Sequence, residues 1–455
     1  MEVLFRDFQS ANSEQSGPGL AATISPIAPP NYLNRLDAIY KDSNVATISR
    51  DVAFGLTKSA HAAIQYPNPE IDTWTEIYSA YWYAVGAILA AEHAEQNASQ
   101  SDWLRVYMAW KDLSNAIIKA YSSGVLENWT LPVLYMAGKH LRTFAIKADA
   151  SAGSNGNAIY NSGDLQEDIA GDFDRNKNLE DAARVINRMF TLCISDRAPL
   201  EESRKWGLYY MANLQFKTYF KLNSISLCKN VLRAISAGTT DMPNLSVFPK
   251  SHIVTFKYYV GVIKFLEEDY AAAEENLLSA LRMCHRSATR NVELILAYLV
   301  PTRLLTSQLL PSPELLSPYP RLAHLFTPLV YAIRSGSLSD FDSALTEGEP
   351  EFVKRRIYLT LERGRDICLR NLLRKVYLAS GSDEEGKRRT RIRVDEFGTA
   401  IRLGERGVDG ESLENDEVEC LVANMIYKNL IKGYISRAHG MVVLSKTGAF
   451  PGTGI

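Results

Sequence analysis

Apolar side chains recur at three- and four-residue steps over most of the chain, the period of one face of an α-helix. Trp74, Ile77, Tyr78, Tyr81, Trp82 and Val85 form one such stripe, and Trp103, Val106, Tyr107, Trp110, Leu113 and Ile117 repeat it. Aromatics this dense are expected to fill helix–helix contacts rather than stack on a ligand. The stripes begin near Asn31. Residues 10–30 are rich in Ser, Gln, Gly, Pro and Ala and contain Pro26, Pro29 and Pro30, so residues 1–30 are expected to form a flexible N-terminal segment. Residues 148–178 break the pattern again. Small polar residues followed by a mostly acidic stretch cannot bury enough apolar surface to order themselves, which predicts a disordered insertion. An acidic peptide that folds on a partner is the alternative.

Helical patterning resumes near Leu179. Over Ser251–Leu281, Val260, Gly261, Tyr270, Ala273, Leu277, Ala280 and Leu281 fall where a tetratricopeptide-type hairpin places them. The small residues allow two antiparallel helices to approach closely. A weaker copy lies 46 residues earlier, with Leu214, Leu227, Val231, Ala234 and Ile235 in equivalent places. Two irregular copies suggest stacked hairpins that share one continuous core. Val292–Leu310 is a further apolar helix, interrupted by Pro301. Residues 311–320 read as a Pro/Ser loop, and helices return over 321–334 and 340–378.

The C-terminal end reads differently. After a charged loop at 380–390, Ile392 and Val394 alternate with arginines, a short strand signal. Asp395 is placed to cap a helix over 396–403. Asn415 or Asp416 is placed to cap a second one, whose buried face is Val418, Leu421, Val422, Met425, Ile426 and Leu430. Residues 433–436 and 441–445 then read as strands joined by a turn at 437–440. Strand, helix, helix, strand, turn, strand is the order of a winged helix that follows a preceding first helix, a relative of the helix-turn-helix readers of DNA. The fold class is therefore all-α, helical-hairpin repeats followed by a C-terminal winged helix.

Composition changes this picture little. Of 455 residues 46% are hydrophobic and 22% charged, as in a globular protein, and the net charge is −2. The charge is unevenly spread: residues 351–455 hold 19 Lys and Arg against 15 Asp and Glu, leaving −6 on the first 350. No apolar run approaches the roughly 18 residues that span a bilayer, and no secretory leader pattern is visible at the start. Cys193, Cys228, Cys284, Cys368 and Cys420 are far apart and have no metal-ligand or CxxC spacing, which fits buried thiols in a reducing compartment.

Several stretches resemble the PCI-domain family. They are Asp416-Glu-Val-Glu-Cys-Leu-Val-Ala-Asn-Met-Ile-Tyr-Lys-Asn-Leu-Ile-Lys-Gly-Tyr-Ile-Ser, Val442-Val-Leu-Ser-Lys, Gly336-Ser-Leu-Ser-Asp-Phe-Asp-Ser-Ala-Leu, Ile357-Tyr-Leu-Thr-Leu-Glu-Arg, Arg370-Asn-Leu-Leu-Arg-Lys-Val-Tyr-Leu and Ile295-Leu-Ala-Tyr-Leu-Val-Pro. The resemblance is strong over about 250–450. It points to the branch that contains the PCI subunit of the transcription-coupled messenger-RNA export complex and its paralogue, the fungal signalosome subunit 12-like protein. It implies N-terminal helical repeats over 31–245 and a PCI domain over 246–450, divided into a helical part at 246–378 and a winged helix at 379–450. It implies a non-enzymatic scaffold in the nucleus, with the cytoplasm also open. The implied partners are a larger PCI-like scaffold, paired through the winged helices, and a small acidic disordered subunit shared with the proteasome lid. The other function this family offers is a pure assembly subunit of a signalosome, proteasome-lid or translation-initiation type complex.

Catalytic patterns are missing from the sequence. It has no G-x-S-x-G, no G-x-x-x-x-G-K-[ST] and no G-x-G-x-x-G, and no two of its seven histidines have H-x-x-x-H spacing. No catalytic residue, cofactor or metal is expected. Glu267, Glu268, Glu274 and Glu275 are read as a solvated helix face. The chemistry that stands out is positive charge. Lys387, Arg388, Arg389, Arg391 and Arg393 form the densest cluster, suited to gripping phosphates, to nuclear import, or to shielding a strand edge. Lys428 and Lys432, four apart, are expected on one face of the last helix, with Arg437 and Lys446 at or near the wing. These nine residues are the nucleic-acid-binding candidates, for RNA or DNA and without base preference. Tyr427 and Tyr434 are the few aromatic neighbours.

Overall fold

The computed structural model describes residues 1–452 apart from 60, 65–67, 157–175, 239–241, 383–387 and 405–413. The described chain is a succession of helices closed by one small antiparallel sheet, the class the hydrophobic pattern predicts. It divides into two compact units, Met1–Phe256 and Lys257–Ile455.

The first unit contains α1 (Glu2–Ser13), α2 (Gly17–Thr23), α3 (Arg35–Lys41), α4 (Ile48–Thr57), α5 (Glu70–Gln96), α6 (Trp103–Ser122), α7 (Leu131–Gly156), α8 (Lys177–Ile194), α9 (Leu208–Lys221), α10 (Ile225–Ala237) and the start of α11 (Lys250–Leu266). All twelve residues of the two aromatic stripes on α5 and α6 are buried. Trp110 donates its indole N–H to the Ala137 carbonyl at 2.9 Å, so the polar atom of the largest buried ring is satisfied.

Glu2–Ser13 and Gly17–Thr23 are helical, where composition suggested a flexible segment over 1–30. On α1, Leu4, Phe5, Phe8 and Ala11 are buried. Phe8 meets the rings of Trp74 and Tyr78 edge-on, with centroids 5.0 and 5.6 Å apart. Burying Leu4, Phe5 and Phe8 stabilises by about 1.5–3 kcal/mol each, which works against the entropy of ordering the helix. Pro26, Pro29 and Pro30 do lie outside the helices, but the Ser and Pro that precede them start one. Ser16 caps α2 by accepting from the Gly19 N–H at 3.2 Å, and Pro18 sits in its first turn, where no N–H is needed.

Most of the expected insertion at 148–178 lies outside the described residues, but its two ends are tied together. Asp149, buried near the end of α7, accepts from the Asn178 N–H at 3.0 Å, the Asn178 amide at 2.9 Å and the Leu179 N–H at 2.9 Å. The carboxylate thus caps the first turn of α8 from a separate helix.

The second unit contains the rest of α11, then α12 (Tyr270–Met283), α13 (Thr289–Thr306), α14 (Pro313–Leu316), α15 (Pro320–Ser335), α16 (Leu338–Lys354), α17 (Tyr358–Glu362), α18 (Gly364–Ala379), β1 (Arg391–Arg393), α19 (Val394–Gly404), α20 (Asn415–Tyr427), β2 (Gly433–Ser436) and β3 (Met441–Leu444). The hairpin read at 251–281 is α11 and α12. A Cβ on Gly261 would lie 2.7 Å from Leu277 Cγ, so glycine sets how closely the two helices approach. The weaker copy is α9 and α10, with Leu214, Val231 and Ile235 buried but Leu227 42% exposed.

Pro301 lies within α13 without ending it, and Ser312 caps the single turn of α14 inside the expected loop. Glu274 is not simply solvated. It accepts from Arg303 Nε at 3.1 Å and from the Thr306 hydroxyl at 2.6 Å, which ties α12 to α13. Gly336, at φ +67°, ends α15 in the left-handed conformation that glycine adopts without strain, and Ser337 then caps α16. Cys193, Cys228 and Cys368 are buried, Cys284 is half-buried, and Cys420 is exposed.

Candidate nucleic-acid and partner-docking surface

β1, α19, α20, β2 and β3 follow in the order expected of a winged helix, with the sheet order β1-β3-β2. Its core is Ile392, Val394, Phe397, Ile401, Val418, Val422, Met425, Val442 and Leu444. The cap of α20 is one residue earlier than read. Glu414 and Glu417 form a reciprocal capping box.

Register fixes which residues share a face of the sheet. Arg391 lies opposite Val443, and Val443 opposite Tyr434; Arg393 lies opposite Met441, and Met441 opposite Ser436. Directly opposed residues point the same way. The outer face therefore carries Arg391 and Arg393 at one edge and Tyr434, 62% exposed, at the other. Ile392, Val442 and Ile435 form the inner row.

The backbone brings three cations to one end of this sheet. The Leu444 N–H bonds the Thr390 carbonyl at 2.8 Å, and the Ser445 N–H bonds the Lys432 carbonyl at 2.8 Å. Arg391, Lys432 and Lys446 thus belong to neighbouring segments. All three are exposed and have no ion-pair partner among the described residues.

The other candidates are engaged or elsewhere. Arg389 pairs with Glu396 at 3.0 Å and Lys428 with Asp366 at 2.6 Å. Arg393 pairs with Asp395 at 2.8 Å, and that bond, with one from Asn415, holds the Asp395 carboxyl below the usual carboxylate range. Arg437, at the wing turn, faces Asp416 at 3.4 Å and Glu419 at 3.6 Å. Arg388 lies over the Tyr377 ring, 5.8 Å from its centroid. Lys387 falls outside the described residues.

Two placements differ from the sequence reading. Lys428 and Lys432 do not share a helical face, because α20 ends at Tyr427 and Asn429 turns left-handed at φ +57°. Lys446 follows β3 and lies at the opposite end of the hairpin from the wing, where of the candidates only Arg437 sits.

One residue that organises this end was not singled out by charge counting. Arg370 on α18 is 2% exposed. Its guanidinium donates to the carbonyls of Pro451 and Phe450 and, at 3.1 Å, to Asn371 Oδ1. Burial, with some help from the charge of Arg374, pulls its pKa down to about 10. Phe450 packs against Tyr377 with centroids 5.6 Å apart, so the chain beyond β3 is fastened to α18. The signal for Arg370 was its position, three residues from Ile367 and from Leu373 on an otherwise apolar stripe.

Tyr427 is 89%, Leu403 51% and Tyr434 62% exposed on the same winged helix, an apolar complement to the cations. Among the described residues no group of three or more His, Cys, Asp or Glu could hold a metal, and no helix is long and apolar enough to cross a membrane.

Helices that end in a winged helix define a PCI-domain protein, and the PCI domain family model matches residues 347–446. Over the full length of both chains, the sequence is 53% identical to the Protein CSN12 homolog of Neurospora crassa and 48% identical to that of Gibberella zeae. It is 33% identical to PCI domain-containing protein 2 of Xenopus laevis, over 88% of this chain and 92% of that one. The chain belongs to the family of the CSN12 homologs and PCI domain-containing protein 2.

Proposed function

We propose that this protein is a non-enzymatic scaffold subunit of a multi-subunit PCI complex acting in transcription-coupled messenger-RNA processing or nuclear export. It pairs with a larger PCI-like scaffold through its winged helix, takes up a small acidic disordered subunit, and works in the nucleus. Its winged helix also contacts nucleic acid without reading sequence. The observation that carries the nucleic-acid contact is the cluster of Arg391, Lys432 and Lys446, exposed beside Tyr434 and without carboxylate partners among the described residues. Cations on a sheet end with a neighbouring aromatic suit a phosphate backbone and a stacked base.

Fluorescence polarisation with a single-stranded RNA and a DNA duplex at low salt tests this. The purified protein is expected to bind both, and Arg391→Glu with Lys432→Glu to weaken binding at least tenfold. Equal affinity in the variant overturns the contact. The second reading, a pure assembly subunit of a signalosome, proteasome-lid or translation-initiation type complex, draws on the carboxylates that engage Arg389, Arg393, Lys428 and Arg437. Purification from cell extract separates the two. The export reading expects one larger PCI scaffold and a small acidic chain, and recovery of signalosome or lid core subunits rejects it.

A further inference from the structure

We propose that an open groove along α5 and α6, in the first unit, docks a basic amphipathic helix of a partner protein, a contact additional to the pairing through the winged helix. The groove encloses about 700 Å³. One face of α5 runs along it from Asp72 to Ala87, and one face of α6, from Arg105 to Asp112, forms a wall. On both helices the lining positions recur at three- and four-residue steps, so each helix presents a single stripe. Thr75, Ser79, Ala80 and Ala109 keep the floor low and leave room for the side-chain ridge of a third helix.

Apolar side chains supply the affinity. Tyr83 is 44% and Met108 48% exposed in the groove, and Leu104, one turn before Met108, is 50% exposed. A single exposed apolar residue is ordinary, whereas several gathered on one concave stripe mark a contact surface. The first unit has no strand among its described residues, so an extended peptide finds no sheet edge to join. Stripes of this period match the i, i+3, i+4, i+7 anchors of a helix.

Charge sets the sign of the partner. Trp103 donates its indole N–H to Glu95 at 2.7 Å and Lys119 pairs with Glu76 at 2.6 Å, so α5 and α6 run antiparallel. Asp72 therefore lies at one end of the groove, Arg105 at the other and Asp112 between them. Glu76 and Lys119 neutralise each other. Asp72, Asp112 and Arg105 are exposed and have no ion-pair partner among the described residues. Two open carboxylates against one guanidinium favour a helix of net positive charge. Their order gives it a direction, because Asp112 and Arg105 are two turns, about 10 Å, apart on α6. The helix that fits places Lys or Arg over Asp112, an apolar residue over Met108, and Asp or Glu two turns away over Arg105. Charges at such a rim choose the partner and its orientation more than they add affinity. An acidic chain meets Asp72 and Asp112 with repulsion, so this occupant differs from the small acidic subunit proposed above.

Yeast-surface selection from a library of helix-forming peptides of about twenty residues, with the full-length protein as bait, tests the groove. Enriched peptides are expected to share an apolar stripe, a net positive charge, and Lys or Arg two turns from Asp or Glu. In fluorescence polarisation, Met108→Glu should weaken a selected peptide at least tenfold. Its thermal midpoint should stay level, because the Met108 side chain already faces water. Arg105→Glu with Asp112→Arg should turn the preference to peptides with the two charges exchanged. Absence of enrichment over an unrelated helical bait, or binding indifferent to Met108→Glu, overturns the proposal. Enrichment of acidic peptides overturns the sign of the partner, and displacement of a selected peptide by a short single-stranded RNA assigns the groove to nucleic acid instead. Arg391→Glu with Lys432→Glu should leave peptide binding unchanged, so the winged-helix contact and this groove fail independently.

Discussion

A guanidinium as buried as that of Arg370 is stable only while acceptors surround it. Here two of them are main-chain carbonyls, those of Phe450 and Pro451. Arg370→Ala is expected to cost about 2–4 kcal/mol, because it leaves carbonyls unpaired and opens a void under Phe450. A lowered thermal midpoint checks this. Arg370→Lys should recover only part, since an ammonium does not reach the carbonyls in a fork.

His140 makes a second residue-scale prediction. It is buried against Trp110, and burial, with the nearby charge of Lys139, lowers its pKa from 6.5 to about 4. The unfolded chain therefore takes up the proton first as pH falls. The stabilisation is full above pH 6.5 and is lost progressively towards pH 4. Between pH 7.5 and 5 this residue should account for about 2 kcal/mol of lost stability. His140→Leu should flatten that part of the profile, and an unchanged slope in thermal unfolding would sink the assignment.

At the scale of elements, close helix approach decides the sign of small changes. Gly261→Ala gains up to about 1 kcal/mol of helix propensity but drives a methyl into Leu277 at 2.7 Å. Overpacking of that kind costs about 1–3 kcal/mol, so net destabilisation is expected. Asp149→Ala should cost about 1–2 kcal/mol by uncapping α8, read as a lower thermal midpoint.

The long aromatic helices were legible in the sequence because their period is unbroken over several turns, as from Trp74 to Val85. The winged-helix order was legible because Ile392, Val422 and Val442 fall in short runs of opposite period. The first two helices were hidden by composition. Leu4, Phe8 and Ala11 do have helical spacing, but Ser16, Gly17 and Pro18 read equally well as a break. The pairing of Lys428 and Arg437 with carboxylates was not legible, since Asp366 is 62 residues from Lys428 and Asp416 is 21 from Arg437, and only the fold brings them together. Nor was the left-handed turn at Asn429, which separates Lys428 from Lys432.

On the scale of the whole molecule, net charge is a poor guide to what the surface attracts. A chain of −2 still presents three exposed cations at one end of its sheet. With Arg391, Lys432 and Lys446 as the phosphate contacts, the logarithm of nucleic-acid affinity should fall with the logarithm of salt at a slope of about −2 to −3. Removing any one of the three should reduce that slope by about 1. A slope near zero in a salt titration would leave the winged helix to protein partners alone. The fastening of the chain beyond β3 has a different bearing, on what evolution can vary there. Arg370 grips oxygen atoms that every amino acid supplies, so the side chain at position 451 is free to drift. The length of the segment is not, because a stop codon before Phe450 would strip a buried cation of both its main-chain acceptors.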